Sequence, residues 1–236
     1  MSIKVAGVTS VLATGLVLGS ASFSPVHAYG VTADKAITLN AGDIGRTLDP
    51  ITWLVPAGTG TLTQDLSAKA IVKVLDLKAN YLDLSFNITN TTADTFKAAV
   101  LSFGLGIDPD ASSVSISSGS TFDSATILNK NFPGGFKGID VCAFAANNCQ
   151  GGNINQGLLN GQSDAFTLRI GNKTGSFANG VTIASYPVKF QSDYGSYEAE
   201  GVPEPITIVG SGLALGFGAL LKREAGKKTS KAKAKV

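Results

Sequence analysis

The sequence predicts an all-β domain, a two-layer antiparallel sandwich of jelly-roll or immunoglobulin-like type, flanked by an N-terminal signal helix and a C-terminal transmembrane helix. Three observations predict it. Apolar residues recur at period two far more often than at 3.6, which places one set on one face of a strand. Glycine is abundant alongside Ser, Thr and Asn, a composition that suits short strands joined by turns and does not suit a helical bundle. Two uncharged stretches stand near the ends of the chain, each with the flanks of a membrane-targeting segment.

The N-terminal element comes first. Lys4 precedes an apolar run over residues 5–18, and Val26-His27-Ala28 then supplies small or β-branched residues at −3 and −1 of a cut. Gly7, Gly15 and Gly19 would weaken a buried core helix, and the run has no polar face. Residues 1–28 are therefore expected to be a cleaved secretory signal peptide, with a mature protein that begins at Tyr29.

Residues 29–192 are expected to form the sandwich. Alternation is clear in 67–77, and after the break Lys78-Ala79-Asn80 it resumes in 81–88, where Leu82, Leu84, Phe86 and Ile88 share a face. Two alternating runs so closely spaced predict a hairpin. Further strands are expected at 47–55, 95–107, 114–117, 138–143, 164–170 and 181–190. Pro109, Pro133-Gly134-Gly135 and Gln150-Gly151-Gly152 mark loops, because proline fixes φ and glycine supplies positive φ. The longest loop, 147–162, is rich in Asn, Gly and Gln and reads either as a binding loop or as a solvated connector. Residues 193–201, with Tyr194, Tyr197, Glu198 and Glu200, repeat no strand pattern and are expected to be a linker.

The last element spans 202–236. Val202-Pro203-Glu204-Pro205 precedes the uncharged span 206–221, and Lys222, Arg223, Lys227 and Lys228 open a basic tail over 222–236. As a helix the span would rise roughly 24 Å, short of a bilayer core of about 30 Å. Basic residues stay on the cytoplasmic side, so the domain is expected outside. Two prolines hold the chain extended before the span, as a membrane peptidase needs. Gly212 and Gly216 stand at GxxxG spacing, but with Gly210 and Gly218 beside them they read as a weak helix rather than a dimer seam.

This combination of Val-Pro-Glu-Pro, short glycine-bearing span and basic cluster resembles the PEP-CTERM sorting signal of Gram-negative bacterial surface proteins. The resemblance covers about the last 35 residues. It implies processing by an exosortase-type membrane enzyme near residues 203–205 after export, a transient membrane anchor, and an association with exopolysaccharide and biofilm matrix. The basic cluster is mostly lysine with one arginine, which departs from the family pattern and leaves the class of processing enzyme open.

Charge follows the same division. Residues 29–205 carry a net −5 and residues 222–236 a net +6, so the overall +2 says nothing about nucleic acid, and none is expected as a partner. Cys142 and Cys149, the only cysteines, are expected to form a disulfide in an exported chain, closing a loop worth about 2–3 kcal/mol. The only histidine, His27, lies in the signal segment, which excludes Ser-His-Asp, Cys-His and His-ligated zinc chemistry from the mature domain. Paired carboxylates remain open to glycoside hydrolysis, yet most acids alternate with apolar residues or sit in turns, so no catalytic residue is assigned.

Asp108, Asp110 and Asp123 offer oxygen ligands for calcium but lack the ligand order of an EF-hand, and are read as loop acids; no metal or cofactor is expected. Asn87, Asn90 and Asn172 begin Asn-X-Thr triplets that read as strand-end polar residues. Trp53 is expected in the core rather than with Tyr81 in a sugar-stacking platform. The chain is thus expected to be an exported, non-enzymatic cell-surface or extracellular-matrix protein. A carbohydrate-binding module of the exopolysaccharide layer is the alternative, and would show an exposed aromatic row. A glycan-active enzyme would need two carboxyls about 5–9.5 Å apart.

Overall fold

Leu82, Leu84, Phe86 and Ile88 are buried in the computed structural model, and Tyr81, Asp83, Ser85 and Asn87 between them face outward. The structure describes residues 30–31, 35–117 and 119–204. The expected signal segment 1–28, Pro205, the span 206–221 and the basic tail with Lys222, Arg223, Lys227 and Lys228 lie outside the described residues.

The strands in chain order are β1 (Gly30–Val31), β2 (Ile37–Leu39), β3 (Ile51–Val55), β4 (Leu66–Lys78), β5 (Tyr81–Asn90), β6 (Ala98–Asp108), β7 (Ser113–Ser117) and β8 (Ser124–Ile127). They continue with β9 (Val141–Phe144), β10 (Leu158–Leu159), β11 (Ser163–Gly171), β12 (Val181–Ser185), β13 (Pro187–Ser192), β14 (Gly195–Glu200) and β15 (Val202–Pro203). One antiparallel sheet runs β15-β3-β4-β5-β11-β7; the other runs β1-β2-β12-β6-β13-β14, with β9 and β10 also on β6 and β8 on β9. The architecture is a two-layer all-β sandwich, as the period-two pattern predicts. Among the described residues, helix is confined to short 3-10 turns, and none is long and apolar enough to cross a membrane.

Four phenylalanines tie the layers together. Phe86 of β5 and Phe166 of β11 stack at 5.5 Å between centroids, and both meet Phe103 of β6 from the opposite sheet, at 5.2 and 5.8 Å. Phe122, from the β7–β8 connection, closes the cluster against Phe103 and Phe166. Aromatic pairs at such separations add about 0.5–1.5 kcal/mol each beyond their buried area.

β6 is buried on both faces, every residue but Asp108 being inaccessible, which its nearly unbroken apolar run requires. Its outer face is covered by residues 128–157, where Phe132, Ile139, Cys142 and Cys149 form a second apolar cluster. Gly104 permits that close approach: a Cβ there would lie 2.6 Å from Ile139 Cγ2. Cys142 and Cys149 form the expected disulfide, with Cα atoms 6.4 Å apart.

Three expectations are corrected. Residues 193–201 are not a linker: β14 pairs along the whole of β13, from Pro187↔Glu200 to Ser192↔Gly195. The strand pattern was absent because β14 is an edge strand whose inward contributions are only Tyr197 and Ala199. The 181–190 strand is two, β12 and β13, separated at Tyr186 and aligned on successive parts of β6. The 147–162 loop is built from 3-10 turns at Asn147–Cys149 and Ile154–Gln156 and from β10, which pairs with Val100 and Ala99 of β6.

Candidate functional site

The motif residues Val202, Pro203 and Glu204 lie against the edge of the six-stranded sheet. Val202 is in register with Thr52 and Pro203 with Ile51 of β3. Glu204 donates its backbone N–H to Pro50 O at 2.8 Å, and its carboxylate lies 3.6 Å from Lys69 Nζ. Proline is tolerated here because an edge strand need not donate from both sides. Pro203 is buried while Val202 is exposed.

The chain reaches this edge by crossing from one sheet to the other at Gly201. Its N–H donates to Tyr186 O at 3.0 Å, and the same carbonyl accepts the Trp53 indole N–H at 2.5 Å. A Cβ at position 201 would meet Ile51 Cγ2 at 2.7 Å, Trp53 Nε1 at 2.8 Å and Tyr186 O at 2.9 Å, so only glycine fits the crossing. Glu200 accepts from Tyr186 N at 2.6 Å and from Ser185 Oγ at 2.9 Å, which fixes the end of β14. Trp53 is thus a core residue with a satisfied indole, as expected.

No family model, curated protein or solved structure matches this chain. Its chemistry therefore rests on its own side chains.

The outer face of the six-stranded sheet carries the densest polar arrangement. Arg169 donates from Nε and Nη2 to both oxygens of Asp83, at 2.8 and 2.6 Å, and its guanidinium lies 4.5 Å from the Tyr81 ring centroid. Tyr81 Oη donates to Asp76 Oδ2 at 2.7 Å. That bond, helped by Lys78 beside it, holds the Asp76 carboxyl below the usual range; the same bond raises the Tyr81 hydroxyl, against the Lys78 charge. The bidentate bond to Asp83 raises the Arg169 guanidinium further above its already high value. Asp83, Arg169, Thr167, Ser115, Ile116 and Ser117 line a shallow depression of about 250 Å³. Among the described residues Tyr81 is the only aromatic ring on that face, and the 147–162 loop contains none, so neither carries an aromatic row; Phe96 and the exposed Tyr194, 5.3 Å apart between ring centroids, belong to neither.

The acids are occupied elsewhere. Asp43 accepts from Arg46, Glu198 pairs with Lys189 at 2.5 Å, and Asp164 accepts five hydrogen bonds. Asp108, Asp110 and Asp123 are exposed, Asp123 accepting from Ser124 Oγ. Among the described residues no three Asp, Glu, His or Cys side chains converge to hold a metal ion. Of the three loop acids, Asp108 and Asp110 act electrostatically on Asp140. Burial and then those two charges raise the Asp140 pKa, against the Ile107 N–H that donates to it at 2.7 Å. Asn90 and Asn172 are buried and hold loops, Asn90 Nδ2 donating to Leu158 O and Asn172 Nδ2 to Asp110 O.

The seam residues Tyr186, Gly201, Lys69 and Pro50 were not signalled by the sequence. Nothing in a single chain marks which strand of the opposite sheet a short Val-Pro segment will join.

Proposed function

We propose that this chain is an exported, non-enzymatic cell-surface or extracellular-matrix protein, sorted through its C-terminal segment by an exosortase-type membrane enzyme. In this reading the body is a sandwich of jelly-roll or immunoglobulin-like type. A signal helix over 1–28 directs export, and the span 206–221 with its basic stop holds the chain in the membrane until processing. It is exported through the inner membrane, transiently anchored there, and delivered to the cell surface or extracellular space, with exopolysaccharide as the neighbouring material.

The observation that carries the reading is the sequence order Val202-Pro203-Glu204-Pro205, uncharged span, basic cluster, with Val202 and Pro203 forming the last strand of a disulfide-bonded β-sandwich. A disulfide belongs in an oxidising compartment. The acids committed to loops and ion pairs favour a scaffold over a glycan-active enzyme, and the single ring, Tyr81, on the described outer face of the six-stranded sheet favours it over a carbohydrate module that stacks sugars on that face.

Intact-mass analysis of the protein from cells and from medium tests this. The expected masses correspond to cuts after Ala28 and near residues 203–205, with two hydrogens missing at Cys142 and Cys149. A full-length C-terminus in the membrane fraction would make the tail a permanent anchor and remove the sorting step.

A further inference from the structure

We infer that the processing cut falls C-terminal to Glu204, so that residues 201–204 remain with the mature protein as the closing strand of its sandwich. This rests on the sorting reading above and adds to it the position of the cut.

Three separate constraints hold the segment. Gly201 is wedged at the crossing between sheets, with its N–H on Tyr186 O and no room for a side chain beside Ile51 and Trp53. Val202 and Pro203 are paired to Thr52 and Ile51, and Thr52 Oγ1 donates to Val202 O at 3.3 Å. Glu204 is tied by its backbone to Pro50 and by its carboxylate to Lys69. A peptidase binds its substrate as an extended strand and needs the backbone groups of the residues around the scissile bond. The N–H groups of Gly201 and Glu204, the carbonyl of Val202 and the pairing of Val202 and Pro203 with β3 already tie these residues to the domain. The bonds 201–202, 202–203 and 203–204 therefore lie inside the sheet edge, and the first bond past it is Glu204–Pro205.

The chemistry is transfer of one acyl group. The carbonyl carbon of Glu204, or of a later residue, passes to water or to an acceptor amine as its C–N bond breaks. The released tail keeps the nitrogen and gains the proton. No oxidant or reductant enters.

C-terminal peptide sequencing of the protein recovered from its own cells is the test. A terminus at Glu204 or beyond is expected; a terminus at Gly201, Val202 or Pro203 overturns the inference. Recovery of only uncut chain would instead remove the sorting reading, and the boundary is then read by adding a broad-specificity protease to the full chain. A core fragment that ends at Glu204 or later upholds residues 201–204 as the closing strand, and one that ends within residues 195–203 overturns it. Amide exchange supplies a measure independent of any cut: the Glu204 N–H should exchange about 100-fold more slowly than in a free peptide. Exchange at the free-peptide rate would show that the strand is not docked. Lys69→Glu, which sets two carboxylates together, should speed Glu204 exchange about 2- to 5-fold, and no change would discount the ion pair as part of the latch.

Discussion

The carboxylate of Asp164 at the start of β11 accepts, at 2.7 Å, the backbone N–H of Phe122, one of the central aromatic residues of the sandwich. The same group accepts Thr121 N on Oδ2, and Ser120 N, Ser120 Oγ and Ala165 N on Oδ1. One buried side chain therefore places the connection that delivers Phe122 into the phenylalanine cluster.

Asp164→Asn should be costly because both oxygens accept only from donors. Either orientation of the amide turns an NH₂ toward two N–H groups. A loss of about 3 kcal/mol is expected, read as a drop in the urea midpoint at pH 7. Burial pushes the Asp164 carboxyl up, but the N–H groups of Phe122, Ser120 and Thr121 outweigh it and leave its pKa lowered. Its contribution is therefore present above the unfolded value of about 3.9 and is lost as pH falls through the native value. The wild type should lose stability on acidification below about pH 4 more steeply than Asp164→Asn; equal slopes would remove Asp164 as the cause.

Asp140 behaves in the opposite sense. Its raised pKa means that the folded state favours the protonated form, so its contribution is greatest below the unfolded value and declines as pH rises through the native one. Asp140→Asn keeps an acceptor for Ile107 N–H and removes the repulsion by Asp110 and Asp108. The variant should melt above the wild type at pH 7, with the gap closing toward pH 3. A lower melting temperature at pH 7 would refute this assignment.

The disulfide loop combines constraint with strain. Asn147, Asn148 and Cys149 have φ of 50°, 49° and 68°, three consecutive non-glycine residues in the left-handed region. Asn148→Gly should relieve this and stabilise by about 0.5–1 kcal/mol, measured by thermal unfolding. Reduction, or a Cys142→Ala/Cys149→Ala pair, should lower stability by about 2 kcal/mol. If the glycine variant were no more stable than wild type, the loop conformation would carry no strain.

Lys189 on β13 is 6% exposed and is paired with Glu198 on β14 beneath the covering loops. Lys189→Ala leaves Glu198 without its partner and should cost about 3 kcal/mol, whereas Lys189→Met with Glu198→Leu should stay within about 1 kcal/mol of wild type. Denaturant titration of the three proteins separates the effect of the pairing from that of burial.

The sandwich was legible wherever one face of a strand is buried and the other wet. β4, β5 and β11 alternate cleanly, and their limits were read to within a few residues. β14 and β15 were not legible, because edge strands need only one apolar contact every other residue and Pro203 argues against a strand on propensity alone. β8, with all four residues half-buried, gives no alternation either. The Cys142–Cys149 bond followed from count and spacing. The Asp83–Arg169–Tyr81 arrangement did not: those residues are 86 positions apart at their widest hydrogen bond, and only the β5–β11 register brings Arg169 opposite Asp83.

Tyr186 clasps two segments that are far apart in the sequence. Its hydroxyl lies 3.1 Å from the carbonyl of Lys35, near the start of the described chain, and its backbone carbonyl accepts the N–H of Gly201, near the end. The segment that enters β2 and the crossing that follows β14 are therefore held a single tyrosine length apart. Early and late parts of the described chain share one clasp, so loosening either at this point loosens the other.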